Sequence, residues 1–172
     1  MKSLNQYITE KLKINKNFET VKCFIYELHE KDNIKIFDSE WVQFKDYKNK
    51  VYINNENIVL DSNGYTLKKF EPGTYEVEIK NIDEVNNCRF MFYNCTCLIE
   101  VPMFDISKVS IMADMFAYCE RLEYVPDLLY DITDFSKYQM GRTFANCNNL
   151  SEETKQIWSK VYDFKNNHKI MS

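Results

Sequence analysis

The feature that most constrains this chain is an internal repeat. Met91-Phe-Tyr-Asn-Cys-Thr-Cys-Leu-Ile-Glu-Val-Pro102 is restated as Met115-Phe-Ala-Tyr-Cys-Glu-Arg-Leu-Glu-Tyr-Val-Pro126. Met91, Phe92, Cys95, Leu98, Val101 and Pro102 thus return, at an offset of 24, as Met115, Phe116, Cys119, Leu122, Val125 and Pro126. A third copy keeps Phe144, Cys147 and Leu150 at an offset of 28, an insertion of four. The register starts before the first Met-Phe pair, because Ile82, Val85 and Cys88 align with Ile106, Val109 and Met112. Copies of one unit cannot each bury an apolar face alone, so they are expected to stack on one another.

Each copy divides in two. Val109, Met112, Met115, Phe116 and Cys119 are three or four apart between Ser107 and Cys119, which predicts a helical limb. Leu122 and Val125, like Leu98, Val101, Met103 and Phe104 one copy earlier, predict a short extended limb, interrupted by Pro126 and Pro102. A helix and a short strand in about 24 residues is the period of a leucine-rich repeat.

The pattern Met-Phe-x-x-Cys-x-x-Leu-x-x-Val-Pro, followed by Phe104-Asp-Ile-Ser-Lys-Val109, resembles the BspA-type leucine-rich repeats, in particular the group catalogued as a mycoplasma-type domain of unknown function. The resemblance covers residues 82–150. Tyr65-Thr-Leu67 and Gly73-Thr-Tyr-Glu-Val-Glu-Ile79 also resemble the β-module that leads into such repeats in proteins of gut Bacteroidetes and their phages. The opening Met1-Lys-Ser-Leu-Asn-Gln-Tyr-Ile is similar to segments of that phage group. Members with signal peptides are surface proteins that bind proteins or matrices. The resemblance therefore implies a binding protein, with a phage or mobile element as its setting.

Upstream of the repeats the period changes. Phe24, Tyr26 and Leu28 alternate with polar residues, as do Ile34 and Ile36 after His29-Glu-Lys-Asp-Asn33, and the two runs read as a hairpin. Val51–Ile53 and Ile58–Leu60 flank Asn54-Asn-Glu-Asn57, and Asn63-Gly64 marks another reversal. Tyr75, Val77 and Ile79 alternate with Glu76 and Glu78 directly after Pro72-Gly73, a pair suited to a type II turn. Ahead of these strands, residues 3–14 predict an amphipathic helix capped by Ser3 and Gln6, with Leu4, Tyr7, Ile8 and Leu12 on one side. At the other end Ser151 caps a final helix, with Glu152 and Glu153 in its first turn and Ile157, Trp158, Val161 and Tyr162 as its apolar face. The tail from Asn166 is expected to fray.

The expected architecture is α+β: an N-terminal helix (1–19), an antiparallel β-module (20–81), about three repeats forming a short α/β solenoid (82–150), and a capping helix with its tail (151–172). One or two closely joined modules suit 172 residues, of which 45% are hydrophobic. A formal charge of −4 argues against nucleic acid as partner, and no run reaches the roughly 18 apolar residues of a membrane span. The N-terminus has no apolar h-region, so the expectation is a cytoplasmic protein, or a virion component if phage-encoded.

Six cysteines invite a disulfide or zinc reading. Cys95, Cys119 and Cys147 share one repeat position and are expected in the core as free thiols, and Cys95-x-Cys97 has the wrong spacing for a zinc site. Cys23 and Cys97 fall outside that register and are the candidates for an accessible thiol. His29 and His168 are the only histidines, so a catalytic Cys/His or Ser/His pair must recruit one of them. Asp127, Asp131 and Asp134 define no acid and base pair, the three glycines build no phosphate loop, and Asp61-Ser-Asn-Gly64 reads as a turn rather than a calcium loop. No enzyme motif, metal or cofactor is expected. What remains is surface: Ile99 and Glu100, then Glu123 and Tyr124, are expected to project outward in register from the extended limbs and to receive a basic or amide-rich protein. The functional expectation is a non-enzymatic protein-binding scaffold, which the resemblance places as a phage-encoded protein that binds or inhibits a host protein. The alternative is a structural virion component or a surface adhesin. The sequence leaves oligomeric state open.

Overall fold

The computed structural model describes residues 23–129 and 134–169. The helix expected at residues 3–14 lies outside them, as does Asp131.

A five-stranded antiparallel sheet is built from strands between residues 23 and 100. Its strands are β1 (Cys23–Leu28), β2 (Val51–Ile53), β3 (Glu56–Ile58), β4 (Gly73–Ile79) and β5 (Leu98–Glu100), in the order β3-β2-β4-β1-β5. The alternation of β1 sends Phe24, Tyr26 and Leu28 into the core and leaves Cys23, Ile25 and Glu27 on the opposite side. The β2–β3 hairpin turns at Asn54 and Asn55, whose φ values of 53° and 63° are those of the two-residue turn that matches strand twist. A short helix, α1 (Phe44–Tyr47), precedes β2.

Two local expectations fail here. Residues 34–36 do not return beside β1, whose neighbours are β4 and β5. They turn toward Gly64–Thr66 instead, through Ile36 N–H to the Gly64 carbonyl at 2.9 Å and Thr66 N–H to the Ile34 carbonyl at 2.9 Å. Gly73 is not a turn residue but the first residue of β4, with φ 154° and Leu28 as its partner.

The α/β solenoid expected over residues 82–150 is also corrected. The molecule is mainly the antiparallel sheet, and the stretch expected as a helix between Ser107 and Cys119 is a run of tight turns. Asp114 and Tyr118 have φ of 57° and 63°, a left-handed conformation that an α-helix cannot contain. The same pair recurs at Phe90 and Asn94 and at Arg142 and Asn146, with φ of 57–62°. Between these positions the chain closes turns three residues wide, as in Met115 N–H to the Met112 carbonyl and Cys119 N–H to the Phe116 carbonyl. Apolar spacings of three and four fit such turns as well as they fit a helix, which is why the periodicity misled.

The alternate N–H groups bond the next copy. Phe92 and Asn94 donate to the Met115 and Ala117 carbonyls, and Phe116 and Tyr118 donate to those of Thr143 and Ala145, all at 2.8–2.9 Å. Copies therefore lie in register as rungs, the four-residue insertion being taken up between the second and third. Phe92, Phe116 and Phe144 stack with ring centroids 5.6 Å apart. Each cysteine thiol spans a rung: Cys119 donates to the Phe92 carbonyl at 3.0 Å and Cys147 to the Phe116 carbonyl at 2.9 Å.

A stack leaves backbone groups unpaired at each end unless something meets them. At the start, Ile34–Trp41 stands where an earlier rung would be. The Cys95 thiol donates to the Ile36 carbonyl, Asp38 N–H to the Met91 carbonyl, and the Lys35 ammonium, paired with Asp38, to the Tyr93 carbonyl. At the finish, Arg142 N–H meets the Asn167 carbonyl and Phe144 N–H the Tyr162 hydroxyl. The final helix, α2 (Glu152–Trp158), starts as expected, with the Ser151 hydroxyl accepting from Thr154 N–H. It ends sooner than expected. Val161 and Tyr162 are buried beyond it, and the tail returns as a hairpin of β6 (Tyr162–Asp163) and β7 (His168–Lys169) through its described residues. Trp158, Tyr162 and Phe164 close over Phe144, so one core runs from Phe24 to Tyr162.

Candidate partner-binding face

The side of the sheet away from the core is built by pairing. Ile25 faces Glu76 on β4 and Glu100 on β5, and Glu100 makes a parallel bridge with Tyr124 of the next rung. Paired residues point the same way, so Glu76, Ile25, Glu100 and Tyr124 form one row across four chain segments. Between β1 and β5 the register shifts, because Leu98 faces Tyr26 while Glu100 faces Ile25. Ile99 is the extra residue of this bulge, and its carbonyl accepts from both Glu123 N–H at 2.9 Å and Tyr124 N–H at 3.2 Å.

All four residues expected from sequence thus come together. Glu100 and Glu123 are exposed, and Ile99 and Tyr124 are half-buried. Among the described residues, Ile25 and Ile99 belong neither to the core cluster nor to the half-buried residues packed against it. Sequence reading missed Ile25 and Glu76. Their outward alternation was visible, but nothing in the sequence announced that β1 sits between β4 and a strand from the repeats.

One end of the face carries a clasp. Arg121 donates to the Glu27 carbonyl at 2.8 Å, pairs with the Glu27 carboxylate, and lies 2.7 Å from His29 Nε2. Arg121 occupies the repeat position of Cys97, 24 residues on, and Glu27 N–H bonds the Cys97 carbonyl at 2.9 Å. The clasp fixes the end of β1 to the second rung.

The thiols divide as their positions dictate. All six cysteines are free, with Cys88, Cys95, Cys119 and Cys147 buried and Cys23 and Cys97 half-buried. Burial drives the Cys88 and Cys95 thiols far up, and Cys147 to about 12. Cys23 is raised by burial and then by Glu76 and Glu78; Cys97 is raised by burial, against the lowering effect of Thr96 and Arg121. A raised pKa means less thiolate at a given pH. Native protein treated with iodoacetamide at neutral pH should therefore alkylate at Cys23 and Cys97 alone, more slowly than a free peptide thiol, and unfolding should release all six. Alkylation of Cys119 before unfolding would contradict the rung geometry.

Asp61 accepts from Asn63 and Tyr65 N–H, in keeping with a turn, and Asp127 pairs with Lys160. Among the described residues no three His, Cys, Asp or Glu side chains are grouped to hold a metal ion, and no helix is long and apolar enough to cross a membrane. Comparison with models of known protein families, with curated proteins and with solved structures finds no match to this chain.

Proposed function

We propose that the chain is a non-enzymatic scaffold that binds another protein on the outward face of its sheet. The observation that supports this reading is the row Glu76, Ile25, Glu100 and Tyr124, which places carboxylates around two half-buried apolar side chains on a rigid, hydrogen-bonded frame. Aromatic and apolar anchors ringed by charge are what a protein interface uses, the first for affinity and the second for register. Resemblance of the repeats alone suggests the setting, a phage-encoded protein acting on a protein of its host.

The test compares wild type with Glu100→Lys, Glu123→Lys, Tyr124→Ala in a pull-down from host lysate, followed by affinity measurement on the captured protein. The expected result is a partner held by wild type and bound at least tenfold more weakly by the variant, while the exposed Glu100→Lys, Glu123→Lys pair alone should leave thermal stability little changed. Equal binding by both proteins would remove the site from this face.

A further inference from the structure

The spacing of the outward row selects the kind of partner it can take. Glu76 on β4 and Glu100 on β5 are exposed and flank the half-buried Ile25 of β1, which is paired in register with both. Among the described residues no ion pair engages Glu76 or Glu100, whereas Glu27 and Glu78 beside them are matched by Arg121 and Lys80. The Cys23 thiol, on the same side of β1 as Ile25, is raised first by burial and then by Glu76 and Glu78, so the negative field extends along the strand. Two carboxylates that lack a cation, with an apolar side chain between them, are complementary to the order cation, apolar, cation on a partner.

Distance decides which backbone presents that order. Glu76 and Glu100 are two strand spacings apart, about 9.6 Å, with Ile25 midway. Side chains on one side of an extended strand recur every ~6.8 Å, so its first and second repeats miss the second carboxylate by about 3 Å or more. On an α-helix, residues i and i+7 lie on one side about 10.5 Å apart, and i+3 or i+4 falls between them. The helix thus misses by only about 1 Å, which long cationic side chains absorb. We propose that the outward face takes a basic amphipathic helix of its partner protein, laid across the strands with cations at i and i+7 against Glu76 and Glu100 and an apolar side chain at i+3 or i+4 against Ile25. This rests on the binding reading above and names the surface the partner brings.

A charge-swap titration of the full-length protein with alanine-based helical peptides tests it. The first probe carries lysine at i and i+7 and leucine at i+3 and i+4; the second has its lysines moved to i and i+2. The expected result is binding of the first probe at least fivefold tighter than the second and weakened by added salt. A Glu76→Lys, Glu100→Lys variant, with both changes at exposed positions, should lose the first probe at least tenfold and regain binding to a probe with glutamate at i and i+7. No binding of the first probe at millimolar concentration, equal binding of the two spacings, or binding undisturbed in the variant would overturn the proposal. A host protein lost in the pull-down variant while the probes fail would keep the face and sink the helix. Probes that obey the charge swap, with a host protein that the pull-down variant still holds, would uphold the helix and sink the host-protein reading.

Discussion

Phe116→Ala should cost about 3–5 kcal/mol of folding free energy, because it empties the middle of the stack that joins the rungs. Phe116 is fully buried, with Phe92 and Phe144 each 5.6 Å away in nearly parallel planes of 1° and 15°. Each such ring pair contributes about 0.5–1.5 kcal/mol beyond simple burial. Collapse cannot refill the space, since the carbonyl of Phe116 receives the Cys147 thiol and its N–H is bonded to Thr143, which pins the backbone from two sides. Against a total stability of about 5–15 kcal/mol, the loss should lower the melting temperature by on the order of 10 °C. Phe116→Leu keeps most of the apolar volume and should lose only about 1–3 kcal/mol, the share of the two ring pairs. Equilibrium denaturation of the two variants separates burial from stacking. A loss below about 0.5 kcal/mol for the alanine variant would mean that Phe116 does not lie between its repeat partners.

The sequence revealed the stacking of copies but not the backbone that produces it. Offsets of 24 and 28 correctly paired Phe92 with Phe116 and Phe144, because burial selects side chains regardless of how the chain turns between them. The helix reading of Ser107–Cys119 failed because its apolar spacing is shared by helices and successive tight turns. The informative signal was the residue before each Met-Phe and the residue before each Cys. Phe90, Asn94, Asp114, Tyr118, Arg142 and Asn146 all take positive φ, yet only the Asn and Asp residues favour that conformation. Strands of the first half were legible where alternation was strict, as in β1 and β4. Their pairing was not, since β5 comes from within the repeats and reaches β1 across about 70 residues of chain. For the face, Ile99, Glu100, Glu123 and Tyr124 were expected from the repeat register, of which the strand pairing puts Glu100 and Tyr124 in the row, whereas Ile25 and Glu76 required that long-range pairing.

Gly64→Ala should be the most damaging single change in the β-module. Gly64 has φ +85°, and a Cβ built there would lie 2.0 Å from the Phe37 carbonyl oxygen and 2.9 Å from its carbon. The left-handed backbone alone costs an alanine roughly 1–2 kcal/mol. The overlap adds to this because the Phe37 carbonyl has nowhere to retreat. Ile36 N–H is bonded to the Gly64 carbonyl, the Ile36 carbonyl receives the Tyr26 hydroxyl and the Cys95 thiol, and Asp38 N–H holds the first rung through Met91. Moving Phe37 therefore loosens the segment that closes the start of the stack, and the predicted loss exceeds about 4 kcal/mol, the range reserved for strain and broken buried networks. Gly141→Ala is the control: no atom lies within 4 Å of its added Cβ, so its effect should stay within about 0.5 kcal/mol. Denaturant midpoints of the two variants decide the matter. A Gly64→Ala protein as stable as the Gly141→Ala protein would show that Ile34–Trp41 is not held against Gly64, and that the first rung is closed in some other way.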